Sequence, residues 1–211
     1  MLYAHLNAKL MIEAAKIHLS KDKIFKSLIE KIQLDLPVTD GDVYFYLIRS
    51  IVYQQLSGKV AGTIFSRFLE LFSEEYPYPE PLLGFDIADL RAVGLSRQKA
   101  SYILNVADFF QTHQLENNNW QEMEDNEIIQ FLTQIKGVGK WTVQMILMIS
   151  LHRTDVFPID DLGIQKGIQK LYGFEDKGKS LKKKMLELSE SWRPYRTIAS
   201  FYLWQFQDMP T

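Results

Sequence analysis

The sequence predicts an all-α protein, and three observations lead to that prediction. Apolar residues recur every three or four positions through most of the chain, which is the spacing of one face of a helix. No stretch has the alternation or the β-branched runs of strands, apart from the short, turn-bounded segment 154–159. Gly, Pro, Asp and Ser separate the apolar segments where helices are expected to begin and end.

Composition places the chain among ordinary globular proteins. It has 211 residues, of which 46% are hydrophobic and 24% charged, enough for one large domain or two small ones with a substantial core. The formal net charge of −2 argues against indiscriminate nucleic-acid binding, which needs many Lys and Arg residues opposite phosphates. Any contact with nucleic acid is therefore expected to be compact.

The absence of cysteine narrows the chemistry. Without cysteine the chain has no disulfide, no thiolate zinc site and no cysteine-held iron–sulfur cluster. The four histidines show no metal-ligand spacing, so carboxylates, lysines and aromatic residues remain as the reactive groups. No apolar run is long enough to cross a bilayer, and charges interrupt the first apolar stretch, so we expect a cytoplasmic protein without membrane contact.

The first half of the chain reads as a series of helices. Residues 1–40 contain one or two, the second of which is expected to bury Ile24, Phe25, Leu28, Ile29 and Ile32. A turn with Pro37, Asp40 and Gly41 marks a boundary, after which a buried helix runs from Val43 to about Tyr53. Ser57 is placed to cap an amphipathic helix with inward residues from Val60 to Phe72. After a Pro-rich loop, further helices begin at Asp86 and Ser96.

The second half continues in the same way. A helix over 125–135 is followed by a glycine-framed turn at 136–139 and an apolar helix over 140–152. A loop then supplies Pro158, Asp160 and Asp161 before a helix that Gly173 ends. Residues 176–190 predict a basic amphipathic helix, whose lysines we interpret as a solvated face rather than a DNA contact. Pro194 is expected at the first position of the last helix.

The turn at 136–139 has two interpretations. Gly137 and Gly139 permit positive φ and a close backbone approach, and the following helix begins with unpaired N–H groups that attract an anion such as a phosphate. Alternatively, the GVG sequence is only a tight turn between helices, which is the commoner case for an isolated motif.

The surrounding pattern resembles a known family. Leu132, Ile135, Gly137-Val138-Gly139, Thr142 and Val143, followed by Val156-Phe157-Pro158 and Asp160-Asp161-Leu162-Gly163, resemble the helix-hairpin-helix and Gly/Pro-Asp signature of DNA base-excision glycosylases. Gly94-Leu95-Ser96 with Lys99-Ala100 also matches that family, and residues 191–204 resemble its 3-methyladenine glycosylase branch. The resemblance covers roughly residues 20–207. It implies two helical lobes with an active-site cleft between them, one formed by 43–152 and the other by 1–42 with 153–211.

Asp161 is the predicted catalytic residue. From position alone it is an N-cap, since Asp is among the best capping residues, and the two roles are compatible because a helix N-terminus favours the ionised carboxylate. Departure of a base leaves positive charge on the sugar, which a fixed carboxylate stabilises. The family pattern matches Asp161 and Ile164, which leaves Asp160 as a cap or structural partner.

Trp141 predicts both the reaction type and the substrate. Strand-cleaving members of the family hold a nucleophilic lysine at this position, so its replacement by Trp141 implies a monofunctional glycosylase that uses water. Aromatic walls suit cationic, alkylated bases. The predicted substrate-binding residues are Trp141, Met145, Leu162 and Trp204, although plain core packing is as good an interpretation of the two tryptophans and a better one for Trp192 and Tyr202.

The same resemblance implies a DNA interface. Its predicted residues are Gln54, Gln55, Leu56, Gly137, Val138, Gly139, Lys140 and Thr142, where either Gln55 or Leu56 would fill the gap left by a flipped base and a simple interhelical turn is the alternative. The carbonyls of Thr133, Ile135 and Val138 would hold a Na⁺ or K⁺ ion. The expected partner is double-stranded DNA with alkylated bases, bound by a monomer. The main rival is a non-catalytic DNA-binding or lesion-sensing protein, which would not need Asp161.

Overall fold

The computed structural model of the protein describes residues 2–34, 36–37, 39, 41–115 and 118–209. These residues form helices joined by loops, with no β-strand among them, and segment 154–159 is a loop. The predicted all-α class is confirmed. The predicted turn residue Asp40 lies outside the described residues.

Twelve α-helices account for most of the described chain. They are α1 (Leu2–Leu19), α2 (Lys23–Ile29), α3 (Val43–Tyr53), α4 (Gly58–Leu69), α5 (Pro79–Leu83), α6 (Ile87–Ala92), α7 (Arg97–Thr112), α8 (Asp125–Leu132), α9 (Lys140–Met145), α10 (Leu162–Tyr172), α11 (Gly178–Ser189) and α12 (Arg196–Asp208). Short 3₁₀ turns lie at Trp120–Glu122 and Glu190–Trp192, and α9 continues as a π-helical turn over Ile146–Ser150. None of the helices described is long and apolar enough to cross a membrane.

The chain divides into two compact units. The central unit is Thr39–Leu151, and the terminal unit combines Met1–Val38 with His152–Thr211. The predicted first division lies four residues later, at 42/43. The difference arises because the preceding turn packs on the central unit: Thr39 Oγ1 donates to the carbonyl of Ile149 at 3.0 Å. The predicted cleft between two lobes stays a prediction.

Helix α3 forms the centre of the central unit. Its residues Leu47, Ile48, Ile51 and Val52 are fully buried, and α4, α7 and the π-helical turn pack around it. Side-chain caps fix where helices begin: Asp42 accepts from the N–H of Phe45, and Ser96 from that of Lys99. Val60, predicted inward, is 48% exposed because it lies in the first turn of α4, where the chain emerges from an exposed loop.

The terminal unit packs around α12. Phe25, Trp192 and Tyr202 are buried, so the core interpretation of Trp192 and Tyr202 is confirmed. Helices α10 and α12 approach closely, since a Cβ on Gly167 would lie 2.9 Å from the carbonyl oxygen of Leu203. Ile24, expected inward, is 45% exposed in the first turn of α2, whereas Phe25 and Leu28 are buried.

Three predicted helix boundaries differ from the structure. The helix predicted over 125–135 ends at Leu132, where Thr133 Oγ1 bonds back to the carbonyl of Ile129 at 2.6 Å. The next helical segment stops at Ser150, and His152 has a positive φ of 53° that no helix accommodates. Pro194 precedes the last helix rather than opening it, and Tyr195 is the N-cap. Gly173 does end α10, with the left-handed φ of 69° expected of such a cap.

Candidate functional site

The turn between α8 and α9, residues 133–139, is fixed onto α7. Gly137 has a φ of 105°, and a Cβ there would fall 2.2 Å from Cγ of the Tyr102 ring. Beside it, Asn105 Nδ2 donates to the carbonyl of Lys136 at 3.0 Å. Packing and backbone conformation alone therefore account for Gly137, as the tight-turn interpretation expects.

Gly139 differs from Gly137. Its φ of −95° is open to any residue, and a Cβ there would meet no heavy atom within 4 Å. It is the N-cap of α9, and the two residues that follow, Lys140 and Trp141, are exposed. The N-terminal turn of α9 thus faces open space, with its positive dipole end and amide groups available to an anion.

Two of the predicted DNA-binding side chains are buried. Val138 is 5% exposed and Thr142 only 3%, because both pack into the central unit. At these two positions only backbone groups would be available to DNA. The N–H of Val138 is itself used within the turn, where it donates to the carbonyl of Ile135 at 3.0 Å.

The three predicted cation ligands lie in the same turn. Thr133 is the C-cap of α8, Ile135 follows it, and Val138 closes the turn. Each presents a carbonyl oxygen, which is the hard donor that alkali ions prefer. The Ile135 carbonyl accepts one hydrogen bond and has a second lone pair. These three carbonyl oxygens are donors of the kind that a monovalent cation prefers. The binding of such a cation stays a prediction.

The segment from Gln54 to Ser57, here called the α3–α4 loop, contains the predicted gap-filling residues. Gln55 has a φ of 58° and is exposed, and Leu56 is 38% exposed. Lys99 Nζ donates to the carbonyls of Val52 and Gln54, at 2.7 and 2.8 Å. Burial lowers the pKa of this lysine from its ordinary value. The sequence motif included Lys99, but its spacing gave no signal for these bonds.

Asp161 caps α10, as its position predicted. Its Oδ1 accepts from the N–H of Ile164 at 2.9 Å and also from Nε1 of Trp204 at 2.8 Å. The carboxylate is half-buried at the positive end of an eleven-residue helix. The N-cap interpretation is confirmed, and the geometry also holds the carboxylate in one orientation.

Two glycines of α10 make the Trp204 contact possible. A Cβ on Gly163 would lie 3.0 Å from Cδ1 of Trp204 and 3.1 Å from Oδ1 of Asp161. One turn later, Gly167 allows the close approach of the Leu203 backbone. This pair of glycines was not predicted as part of the site, and its only signal in the sequence is its spacing of four on the helix that follows Asp161.

The predicted substrate-binding residues fall into the two units. In the terminal unit, Asp161 is followed by Leu162, which is 68% exposed, and is contacted by Trp204. In the central unit, Trp141 is 43% exposed and Met145 only 8%. Exposure makes core packing the wrong interpretation for Trp141, and Trp204 is half-buried with its indole directed at a carboxylate.

Asp160 and the lysines of α11 form ion pairs with each other and with neighbours. Lys182 pairs with Asp160, and Lys184 with Asp176, each at 2.5 Å. Lys183 lies 4.0 Å from Glu187 on the same helix. These contacts agree with a solvated helix face and with a structural role for Asp160.

The hairpin turn before the open N-terminus of α9 and the aspartate that caps α10 are both features of the helix-hairpin-helix DNA repair proteins that the sequence resembles. Residues 48–194 match the family model described as "HhH-GPD superfamily base excision DNA repair protein". The chain belongs to this family, and the resemblance seen in the sequence is confirmed.

Individual relatives give the same result. The chain is 36% identical over 174 residues to "Putative DNA-3-methyladenine glycosylase YfjP" of Bacillus subtilis, covering 80% of this chain and 60% of the relative. It is also 36% identical over 197 residues to "DNA-3-methyladenine glycosylase 1" of Schizosaccharomyces pombe, covering 90% of this chain and 86% of the relative.

Among solved structures, the S. pombe 3-methyladenine DNA glycosylase Mag1 in complex with abasic DNA matches with a TM-score of 0.80 and 35% identity. The match covers 91% of this chain and 95% of Mag1. The names of these relatives agree with the predicted alkylbase glycosylase and do not favour a non-catalytic protein.

The two hairpin glycines should respond differently to alanine. Gly137→Ala should lower the free energy of unfolding by roughly 2 to 5 kcal/mol, because it combines positive φ with a clash against Tyr102. Gly139→Ala should stay within about 1 kcal/mol of the parent, the range for a changed N-cap. Urea denaturation followed by circular dichroism measures both, and equal losses would contradict the distinction.

Proposed function

We propose that the protein is a monofunctional DNA glycosylase that hydrolyses the N-glycosidic bond of alkylated bases, of the 3-methyladenine type, in double-stranded DNA. The observation that carries the proposal is the Asp161 carboxylate, which two donors hold at the N-terminus of α10. The relatives named 3-methyladenine glycosylases support the substrate class.

The carboxylate would act on charge that develops at the sugar. As the bond from C1′ to the base nitrogen lengthens, the departing base takes the electron pair and C1′ becomes cationic. A fixed anion beside C1′ stabilises that state more than the ground state, in which the sugar is uncharged, and this lowers the barrier. Water then forms the new C1′–O bond and loses a proton, and an abasic site remains.

Orientation of Asp161 is the contribution of its two donors. Both the Ile164 amide and the Trp204 indole donate to Oδ1, so groups on two different helices set the position of this oxygen. A catalytic group that is already oriented needs no reorganisation when charge appears. Trp204 would therefore position the carboxylate as well as line the base pocket.

The damaged base would be recognised by aromatic and apolar surface. Trp141 presents an exposed ring to a flipped base, and an electron-poor alkylated purine is attracted to such a face. Met145, Leu162 and Trp204 are the other proposed pocket residues. Because Trp141 replaces the lysine of strand-cleaving relatives, water is the nucleophile.

DNA would be held mainly through backbone groups. The amides at the start of α9, with Gly139 and Lys140, would bind a phosphate, and a Na⁺ or K⁺ ion at the Thr133, Ile135 and Val138 carbonyls would assist. On the α3–α4 loop, Gln55 or Leu56 would fill the gap beside the flipped base. The protein is proposed to act as a cytoplasmic monomer.

Asp161→Asn tests the catalytic proposal. Asparagine caps a helix as well as aspartate does, so the fold should persist while the charge is lost. We expect base release from methylated DNA to fall by at least about 100-fold, with affinity for abasic DNA within about threefold of the parent. Released bases are measured by chromatography, and binding by fluorescence anisotropy.

Asp160→Asn is the matched control. The same chemical change at the adjacent residue removes only an exposed ion pair with Lys182, so base release should stay within about twofold. Unchanged release in Asp161→Asn, or equal losses in the two variants, would remove the proposed mechanism.

Trp204→Phe separates positioning from pocket lining. Phenylalanine keeps an aromatic wall but has no N–H for Asp161 Oδ1, so the single-turnover rate should fall about tenfold while binding of abasic DNA changes little. A parental rate in this variant would show that Trp204 serves only as a wall.

The absence of lyase activity gives another expected result. Treated DNA should show strand breaks only after alkali, and sodium borohydride should trap no covalent protein–DNA complex, because no amine attacks C1′. Gel electrophoresis measures both. Breaks without alkali, or a trapped complex, would assign a lysine nucleophile and contradict the role given to Trp141.

A further inference from the structure

An ammonium group from α7 reaches the end of α3. Lys99 lies in the first turn of α7, and its Nζ donates to the carbonyls of Val52 and Gln54 at 2.7 and 2.8 Å. No feature of the proposed chemistry requires this contact. It nonetheless joins a buried helix to the α3–α4 loop.

The carbonyls of Val52 and Gln54 lie at the C-terminal end of α3, where carbonyl groups have no hydrogen-bond donor within the helix. The last four carbonyls of a helix lack intrahelical donors, and the helix dipole makes this end negative. Lys99 supplies both a donor and a positive charge there. Because Gln54 is the C-cap, its carbonyl already belongs to the loop, so the bond fixes the direction in which the chain leaves the helix.

Gln55 follows with a left-handed backbone. Its φ of 58° is unfavourable for a residue with a side chain and persists only where the surroundings impose it. On one side the Gln54 carbonyl is held by Lys99, and on the other the N–H of Leu56 donates to the carbonyl of Tyr53 at 3.4 Å. Gln55 thus lies between two restrained neighbours.

The other end of this contact is anchored in the core. Ser96 caps α7 by accepting from the N–H of Lys99 at 3.2 Å. Ala100 and Ile103 on the same helix are fully buried. Lys99 therefore links the packed core of the central unit to a loop whose own side chains are largely exposed.

We propose that Lys99 is a positioning residue that holds the α3–α4 loop in the shape needed to fill the gap left by a flipped base. The inference rests on the proposed function and adds a residue that makes no contact with the damaged base. Without Lys99, the loop would lose its fixed exit from α3, and Gln55 would relax from its left-handed conformation. Flipping would then be less favourable, while the chemistry at Asp161 would be unaffected.

The test compares two substrates that differ only in the cost of opening the duplex. One carries 7-methylguanine paired with cytosine, and the other carries it opposite a tetrahydrofuran abasic analogue, where little stacking and no pairing oppose extrusion. Lys99→Met should lower the single-turnover rate on the paired lesion by about tenfold and that on the unpaired lesion by less than about twofold. Lys26→Met, at an exposed lysine of α2, is the matched control and should leave both rates at parental values.

A second measurement follows the loop directly. Fluorescence of 2-aminopurine beside an abasic analogue should change on binding of the parent and of Lys26→Met, and much less with Lys99→Met. Equal losses on the paired and unpaired lesions would indicate a purely structural role for Lys99 and overturn the proposal. Failure of the parent to release base from either substrate would instead remove the proposed glycosylase function, and the fluorescence comparison would still decide the role of Lys99.

If Lys99→Met does not fold, Lys99→Arg and Lys99→Gln provide the same comparison. Arginine retains the positive charge and has N–H donors for both carbonyls. It should therefore keep the parental ratio of the single-turnover rates on the paired and unpaired lesions. Glutamine is neutral and shorter, and it should lower that ratio. An equal ratio in the two variants would overturn the proposal.

Discussion

The hydrogen bond from Trp204 Nε1 to Asp161 Oδ1 is the contact on which the candidate active site depends. It joins residues 43 positions apart, so it exists only because α10 and α12 pack closely. A side chain at Gly163 would crowd both the indole and the carboxylate, and one at Gly167 would push the Leu203 backbone away. Tyr202 of α12 and the preceding Trp192 are buried in the core that includes Leu203. The orientation of the Asp161 carboxylate is thus a consequence of helix packing in the terminal unit.

The hairpin shows how one short motif serves two physical purposes. Gly137 is required by backbone conformation and by the Tyr102 ring, whereas Gly139 has open space before it. A motif search treats the two glycines alike. The structure separates them, since the first builds the turn and the second leaves the N-terminus of α9 accessible. The structural interpretation of the motif is therefore confirmed for Gly137, and phosphate binding beside Gly139 stays a prediction.

Whether a feature could be predicted from the sequence depends on how far apart along the chain the interacting residues lie. Helical periodicity, the Asp161 cap and the Gly173 stop depend on neighbours within one turn, and they were predicted correctly. The hydrogen bond from the Trp204 indole to Asp161 depends on a tertiary contact, and so do the bonds from Lys99 to the carbonyls of Val52 and Gln54. No local spacing in the sequence indicates such contacts. Helix ends were also missed, as at Leu132, because a side-chain bond from Thr133 ends the helix where apolar periodicity continues. Resemblance to a family supplied the candidate residues, but not the contacts that orient them.

The charge distribution explains how a protein with a net charge of −2 could still recognise DNA. Many basic side chains of the terminal unit are engaged within it: Lys182 and Lys184 pair with aspartates, and Arg193 and Arg196 share Asp155. Recognition would then depend on the dipole and amides of α9, with Lys140 beside them, rather than on a broad basic surface. Such a footprint would give weak affinity for undamaged DNA, which would let the enzyme leave most sites quickly. In the proposed function, selectivity would then arise at the step in which a base is extruded and fitted against aromatic side chains, where an alkylated ring would gain most.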